Sequence, residues 1–227
     1  MKRFWTDVSV DAEGVVRLDG KPVRTPGRVP LALPYPALTD AVVAEWQAVT
    51  GDIDPRAMPM TGLSNAAIDR IAPDPPAFAA NLASFGESDL LCYRAPEPPP
   101  LVARQAALWD PLLAWAQARY DVHFEIVHGI MHNAQPVATV ARLHEALRSR
   151  SAWELAGLSP VVTIGGSLIA ALALVERAAS AEDIWRAVEA DEDWQTEQWG
   201  RDEISVAALE SRRRDFFAGA HFLDLIA

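Results

Sequence analysis

The spacing of hydrophobic and polar positions changes along this chain. Up to about residue 35 the two classes alternate. Val8 and Val10 stand between polar neighbours, and the stretches Val15 to Leu18 and Pro22 to Thr25 flank Asp19-Gly20. Such alternation marks half-buried strands, and Asp-Gly is a two-residue hairpin signal because Gly tolerates positive φ. From Ala37 the spacing turns helical, with Leu38, Ala41, Val42, Glu45, Trp46 and Val49 recurring until Gly51. Asp52 to Met60 reads as extended.

The remainder is mostly helical. Thr61 is placed to cap a helix through Leu63, Ala67, Ile68 and Ile71, closed by Pro73. A helix over about 76–85 follows, then the short apolar run Leu90-Leu91-Cys92-Tyr93. Pro96, Pro98, Pro99 and Pro100 form a stiff linker without amide donors. Leu101 to Tyr120 is a long helix in which Pro111 marks a kink or a fresh start capped by Asp110. A short strand fits within 122–127, and helices are expected over 137–148, 160–179, 181–200 and 204–225. Ser180 and Asp183 stand in capping-box relation at the third of these. The pattern predicts an α+β chain: a small antiparallel β domain over 1–60, with one helix near 37–50, and a larger α-helical domain over 61–227.

The helix expected over 181–200 departs from the usual amphipathic pattern. A rotation of about 100° per residue gathers Ile184, Trp185, Ala187, Val188, Trp194 and Trp199 into one apolar arc. Glu189, Asp193 and Glu197 fall on the opposite, wet face. Asp191, Glu192, Gln195 and Gln198 project into the arc itself. A charge among tryptophans is costly unless something pairs with it. Either an internal network pairs with these groups, with Arg142 or Arg212 to Arg214 as partners, or another molecule does. A tryptophan beside a charge is a common binding hot-spot composition.

Charge narrows the classes. The 227 residues carry a net charge of −11, which disfavours nucleic acid and anionic membrane surfaces, since both need a basic face. Residues 181–203 hold nine acids and two arginines, so this stretch supplies much of the negative charge. One cysteine, Cys92, excludes an internal disulfide and fits a reducing compartment. No signal or transit segment is visible, so the cytoplasm is expected. Leu155 to Val175 is a run of 21 uncharged residues, long enough to span a bilayer. Its Pro160, Gly157, Gly165, Gly166 and polar hydroxyls favour the central helix of a soluble bundle.

Candidate chemistry is sparse. Neither a phosphate-cradling Gly-Lys-Ser/Thr loop nor Gly-x-Gly-x-x-Gly after a strand occurs, so no nucleotide and no cofactor is expected. Gly165-Gly166-Ser167 is half of a nucleophile turn, and close helix packing explains it better. His128 and His132 are four apart, but Gly129 breaks the helix that would put both on one metal, so no metal is expected. Cys92 reads as a small core residue. Asp69-Arg70 and Glu87 with Asp89 are the carboxylates an enzyme would use; caps and surface pairs are the plainer reading. An enzyme with an unrecognised carboxylate or His site is the alternative.

Motifs in order then point to a family. Leu18-Asp19-Gly20-Lys21-Pro22-Val23-Arg24-Thr25-Pro26, Ala44-Glu45-Trp46, Met58-Pro59-Met60-Thr61 with Asn65 to Arg70, Ser88 to Ala95, Arg104-Gln105 with Trp109-Asp110-Pro111-Leu112-Leu113, and Trp194-Gln195 with Trp199-Gly200 span nearly the whole chain. Together they resemble the assembly chaperone specific for the alpha subunit of F-type ATP synthase, a family of mitochondria and alphaproteobacteria. Ala66 departs from it, where Thr is frequent. The resemblance implies a non-enzymatic, ATP-independent chaperone whose partner is the unassembled alpha subunit. Its important acidic position, just before the aromatic-Gln pair, maps best to Glu192, with Asp191 and Asp193 as the alternatives within one residue. The expected partner-binding residues are therefore Asp191, Glu192, Trp194, Gln195 and Trp199.

Overall fold

A computed structural model describes residues 2–129 and 131–227. Strands β1 (Val8–Val10), β2 (Val16–Leu18) and β3 (Lys21–Pro22) form an antiparallel sheet in that order. Asp19 (φ 48°) and Gly20 (φ 75°) both take positive φ at the β2–β3 turn, pairing Leu18 with Lys21. That conformation matches the twist of the flanking strands, and it is the hairpin the Asp-Gly pair predicts. Val16, Leu18, Leu31 and Leu33 are buried in the same hydrophobic cluster as Leu38, Val42 and Trp46 of α1 (Pro36–Ala48).

Helix α2 (Pro59–Ala66) runs into a wider turn over Ala67–Ile71. Its start corrects the expected cap. Pro59 occupies the first turn, and Thr61 lies inside the helix. The free amides of that turn are instead satisfied by Glu45 of α1, which accepts from Met60 N–H at 2.7 Å, Thr61 N–H at 2.8 Å and the Thr61 hydroxyl at 2.7 Å. The expected boundary at residue 60 thus falls within the first turn of a helix that α1 caps. Asp69 accepts from the Thr25 hydroxyl and Gly27 N–H, at 2.7 Å each, tying the loop after the sheet to the same segment.

Helix α3 (Pro75–Ala83) follows, and β4 (Tyr93–Arg94) pairs in parallel with β5 (Val127–His128). Between them α4 (Pro99–Tyr120) is continuous through Pro111. Two expectations change here. Pro99 and Pro100 begin the helix rather than extend the linker, because the first turn needs no amide donors. Asp110 lies inside it and pairs with Arg94 at 2.6 Å. Helix α5 (Val137–Arg148) matches its expected span.

The uncharged run is not one helix. It divides between α6 (Ala152–Gly165), which begins upstream of it, and α7 (Leu168–Val175). Gly166 turns left-handed at φ 65° to end α6, and the Ser167 hydroxyl caps α7 by accepting from Ala170 N–H at 3.0 Å. No helix among the described residues is long and apolar enough to cross a membrane. Both lie buried against α10 (Glu203–Leu225), whose Phe216 and Phe222 are fully enclosed. Gly157 and Gly219 set that approach: a Cβ on Gly219 would lie 2.5 Å from Pro160 Cγ and 2.7 Å from the Gly157 carbonyl. One hydrophobic cluster runs from Trp5 to Leu223, so sheet and helices share a core.

Candidate functional site

The segment expected as one helix over 181–200 is two: α8 (Ala181–Val188) and α9 (Ala190–Trp199), broken at Glu189. The apolar arc belongs to α8 alone, where Ile184, Trp185, Ala187 and Val188 are buried. Ser180 caps α8, accepting from Asp183 N–H at 3.1 Å. The break frees carbonyls at the end of α8, and buried Trp109 Nε1 donates to that of Ala187 at 2.7 Å.

Glu189 reverses its expected position. It is buried at 1% exposure, and its Oε1 accepts from Arg212 Nη2 of α10 at 2.7 Å. Burial pushes its pKa up, the Arg212 charge opposes that, and the charges of Asp193 and Glu192 add to it. Its second oxygen, Oε2, has no hydrogen-bond partner. The wet-face assignment assumed one uninterrupted helical phase, which ends at this residue.

Beyond the break, α9 lies on α4 by one face. Asp191 is half-buried and accepts from Gln105 Nε2 at 2.7 Å. Trp194 is half-buried, with the Arg104 guanidinium 5.1 Å from its ring centre. Arg104 also makes a two-pronged pair with Glu197, at 2.9 and 2.7 Å, which holds the Glu197 carboxyl below the usual carboxylate range. The sequence motifs Arg104-Gln105 and Trp194-Gln195 therefore meet in space. Arg104 and Gln105 are positioning residues that spacing along 181–200 could not reveal.

The other face is open. Glu192, Gln195 and Trp199 stand within about 60° of one another around the helix, since steps of three and seven residues nearly complete whole turns. All three are exposed, Trp199 at 77%. Gln198 is exposed as well. These residues do not enter an apolar arc, which corrects the expected placement of Glu192, Gln195 and Gln198; Asp191 is the member of that set that turns inward.

Most acids of α8 and α9, and Glu189 between them, pair with an arginine. Glu182 pairs with Arg213 at 3.0 Å, Asp183 with Arg186, Glu189 with Arg212, Asp193 with Arg201 at 3.5 Å and Glu197 with Arg104. Asp191 has Gln105. The Glu192 carboxylate has no such side-chain partner among the described residues. Arg142 serves Asp121 at 3.3 Å, and Arg214 serves Asp215 at 3.3 Å.

The remaining candidates occupy structural roles. Asp89 is fully buried and accepts from Leu91 N–H at 3.1 Å and Ile169 N–H at 2.9 Å, joining the turn before β4 to the start of α7. Burial raises its pKa to about 6. Cys92 is buried, which pushes its thiol pKa up, away from thiolate chemistry. His128 and His132 are exposed, and His132 Nδ1 meets the Tyr93 hydroxyl at 3.1 Å. No group of three metal-ligating side chains forms among the described residues.

The described chain is similar to known proteins over its full length. Residues 2–117 match the model of the ATP12 chaperone protein family. The mitochondrial protein atp12 of Schizosaccharomyces pombe is 22% identical over 214 residues, covering 88% of this chain and 74% of the relative. The crystal structure of Atp12 from Paracoccus denitrificans superposes with a TM-score of 0.92 at 39% identity, covering all of this chain and 98% of that one. A protein of Agrobacterium tumefaciens described as a candidate chaperone gives 0.92 at 40%, covering all of this chain and 86% of the other. The chain belongs to the ATP12 family of ATP synthase assembly chaperones.

Proposed function

We propose that this chain holds the unassembled alpha subunit of F-type ATP synthase on the open face of α9, without nucleotide and without catalysis, in the bacterial cytoplasm. The observation that carries this reading is the contrast between Glu192 and its neighbours: six nearby acids have internal partners and the Glu192 carboxylate has none among the described residues, while Trp199 stands exposed on the same face. A large aromatic left in water beside an unpaired charge gains most from a partner that covers both. An isolated alpha subunit exposes the surface it later buries against beta subunits, and such surfaces aggregate.

Within this reading Glu192, Gln195 and Trp199 touch the client, while Asp191 and Trp194 hold α9 against α4. Residues 1–60 act as a brace and 61–227 carry the client surface. A non-enzymatic role is supported by the groups an enzyme would use: Asp69 fastens a loop, Asp89 is a buried cap and Cys92 is enclosed. The test is light scattering of isolated alpha subunit diluted from denaturant. The chain should suppress aggregation at stoichiometric amounts with no ATP present. Equal protection of an unrelated aggregating protein, or a strict need for ATP, would remove the proposal.

A further inference from the structure

A small cavity of about 180 Å³ opens between α9 and α10, lined in part by Glu189, Glu192, Arg201, Ser205, Ala208 and Arg212. Its charge does not balance. Glu189, Glu192 and Asp193 bring three negative charges to this corner, and Arg201 and Arg212 bring two positive ones. The arginines are already engaged, Arg212 with Glu189 Oε1 and Arg201 with Asp193. What remains is Glu189 Oε2, buried and without a hydrogen bond, and the unpaired carboxylate of Glu192. A buried carboxylate oxygen with no donor is costly, and a positive donor is the group that relieves it best.

We infer that this cavity receives a cationic side chain, an arginine or lysine of the client subunit, with its head group between Glu189 and Glu192. The inference rests on the reading that α9 is the client surface, and it supplies the chemistry of the contact. Ala208 gives an apolar wall for the methylene stem, and Ser205 offers a further acceptor oxygen. The guest would bring the corner to neutrality. Arg201 and Arg212 limit its depth, because a cation driven past the two carboxylates meets their guanidinium groups.

The test fills the cavity from within. Ala208 is exposed on α10, so Ala208→Arg should fold and supply its own cation to Glu189 and Glu192. Its melting temperature should stay at or above that of the parent, and its equilibrium affinity for isolated alpha subunit should fall at least tenfold. Ala208→Gln, similar in reach but uncharged, should bind within threefold of the parent. Glu189→Gln, which keeps the shape and removes the charge, should also bind at least tenfold more weakly once native melting is verified. Parent-like binding by Ala208→Arg overturns the inference, as does an equal loss with Ala208→Gln, which would show bulk rather than charge at work. A parent protein that does not hold the alpha subunit removes the proposed function itself, and this inference with it.

Discussion

Gln105 Nε2 donates to Asp191 at 2.7 Å while the same side chain's Oε1 accepts from Ala95 N–H at 2.8 Å. One buried amide thus joins the end of β4 to the first turn of α9, passing through α4. Gln105→Leu keeps the volume and removes both bonds, leaving an amide and a carboxylate short of partners. Loss of such buried bonds costs about 2 kcal/mol. Denaturant unfolding should show a loss of that size, and client affinity should fall with it because α9 is no longer anchored. A variant as stable as the parent would show that water replaces Gln105 at no cost.

Asp89 makes stability depend on pH in a direction opposite to most carboxylates. Its pKa is raised by burial from 3.8 to about 6. Between those values the folded chain holds a proton that the unfolded chain releases. The contribution of this group is therefore fully present below about pH 4 and lost as pH rises through 6. A shift of about two units corresponds to roughly 3 kcal/mol. Other groups titrate over the same range, so the comparison is with Asp89→Asn, which cannot ionise. On going from pH 4 to pH 7 the parent should lose about 3 kcal/mol relative to that variant in urea unfolding. Parallel pH profiles would mean that the amide bonds from Leu91 and Ile169 offset burial.

The local features of this fold were readable in the sequence, and the phase of its helices was not. Asp19-Gly20 dictates its turn through its own backbone, and α5 shows its full span through spacing alone. Leu155 to Val175 hid a break because both halves are apolar; only the Gly165-Gly166-Ser167 punctuation marked it. Glu189 was misplaced because its burial depends on Arg212, 23 residues further on, a partner that periodicity cannot see. At the candidate site, the helical phase marks Asp191, Glu192, Gln195 and Gln198 together, and the family resemblance alone favours Glu192 among the acids. The structure singles it out for a different reason, the absence of a side-chain partner for its carboxylate among the described residues. Arg104 and Gln105 were visible as a motif, but their task of seating α9 required the fold.

Glycines test how tightly α6 and α10 meet. A Cβ at Gly219 would overlap Pro160 and the Gly157 carbonyl, and one of those contacts is backbone, which cannot swing aside. Gly219→Ala should destabilise by about 1–3 kcal/mol, the range for overpacking. Gly62, inside α2, has nothing within 4 Å of its would-be Cβ. There Gly62→Ala should stabilise by about 0.5–1 kcal/mol, because the unfolded chain loses freedom and the helix gains a better former. Opposite signs for one chemical change, read by thermal melting, are the expected outcome; a Gly219→Ala variant as stable as the parent or more so would place α6 and α10 further apart than described.

The open face of α9 is tested by charge and by area separately. Glu192→Lys reverses an unpaired carboxylate beside Trp199 and should weaken alpha-subunit binding by about 2 kcal/mol, the scale of a hot spot. Asp40→Lys makes the same change in net charge at an exposed position on α1, and should cost well under about 1 kcal/mol, because isolated surface charges contribute little. Trp199→Ala removes the exposed ring and should weaken binding comparably to Glu192→Lys. Neither variant on α9 should lower the melting temperature, since the Glu192 carboxylate has no side-chain partner among the described residues and its charge opposes that of Glu189, while Trp199 is 77% exposed. Equal weakening by Glu192→Lys and Asp40→Lys would mean that the overall negative field, rather than this face, attracts the client. A drop in melting temperature for Glu192→Lys would return the residue to an internal role. Loss with Glu192→Lys but none with Trp199→Ala would confine the contact to the corner between Glu192 and Glu189.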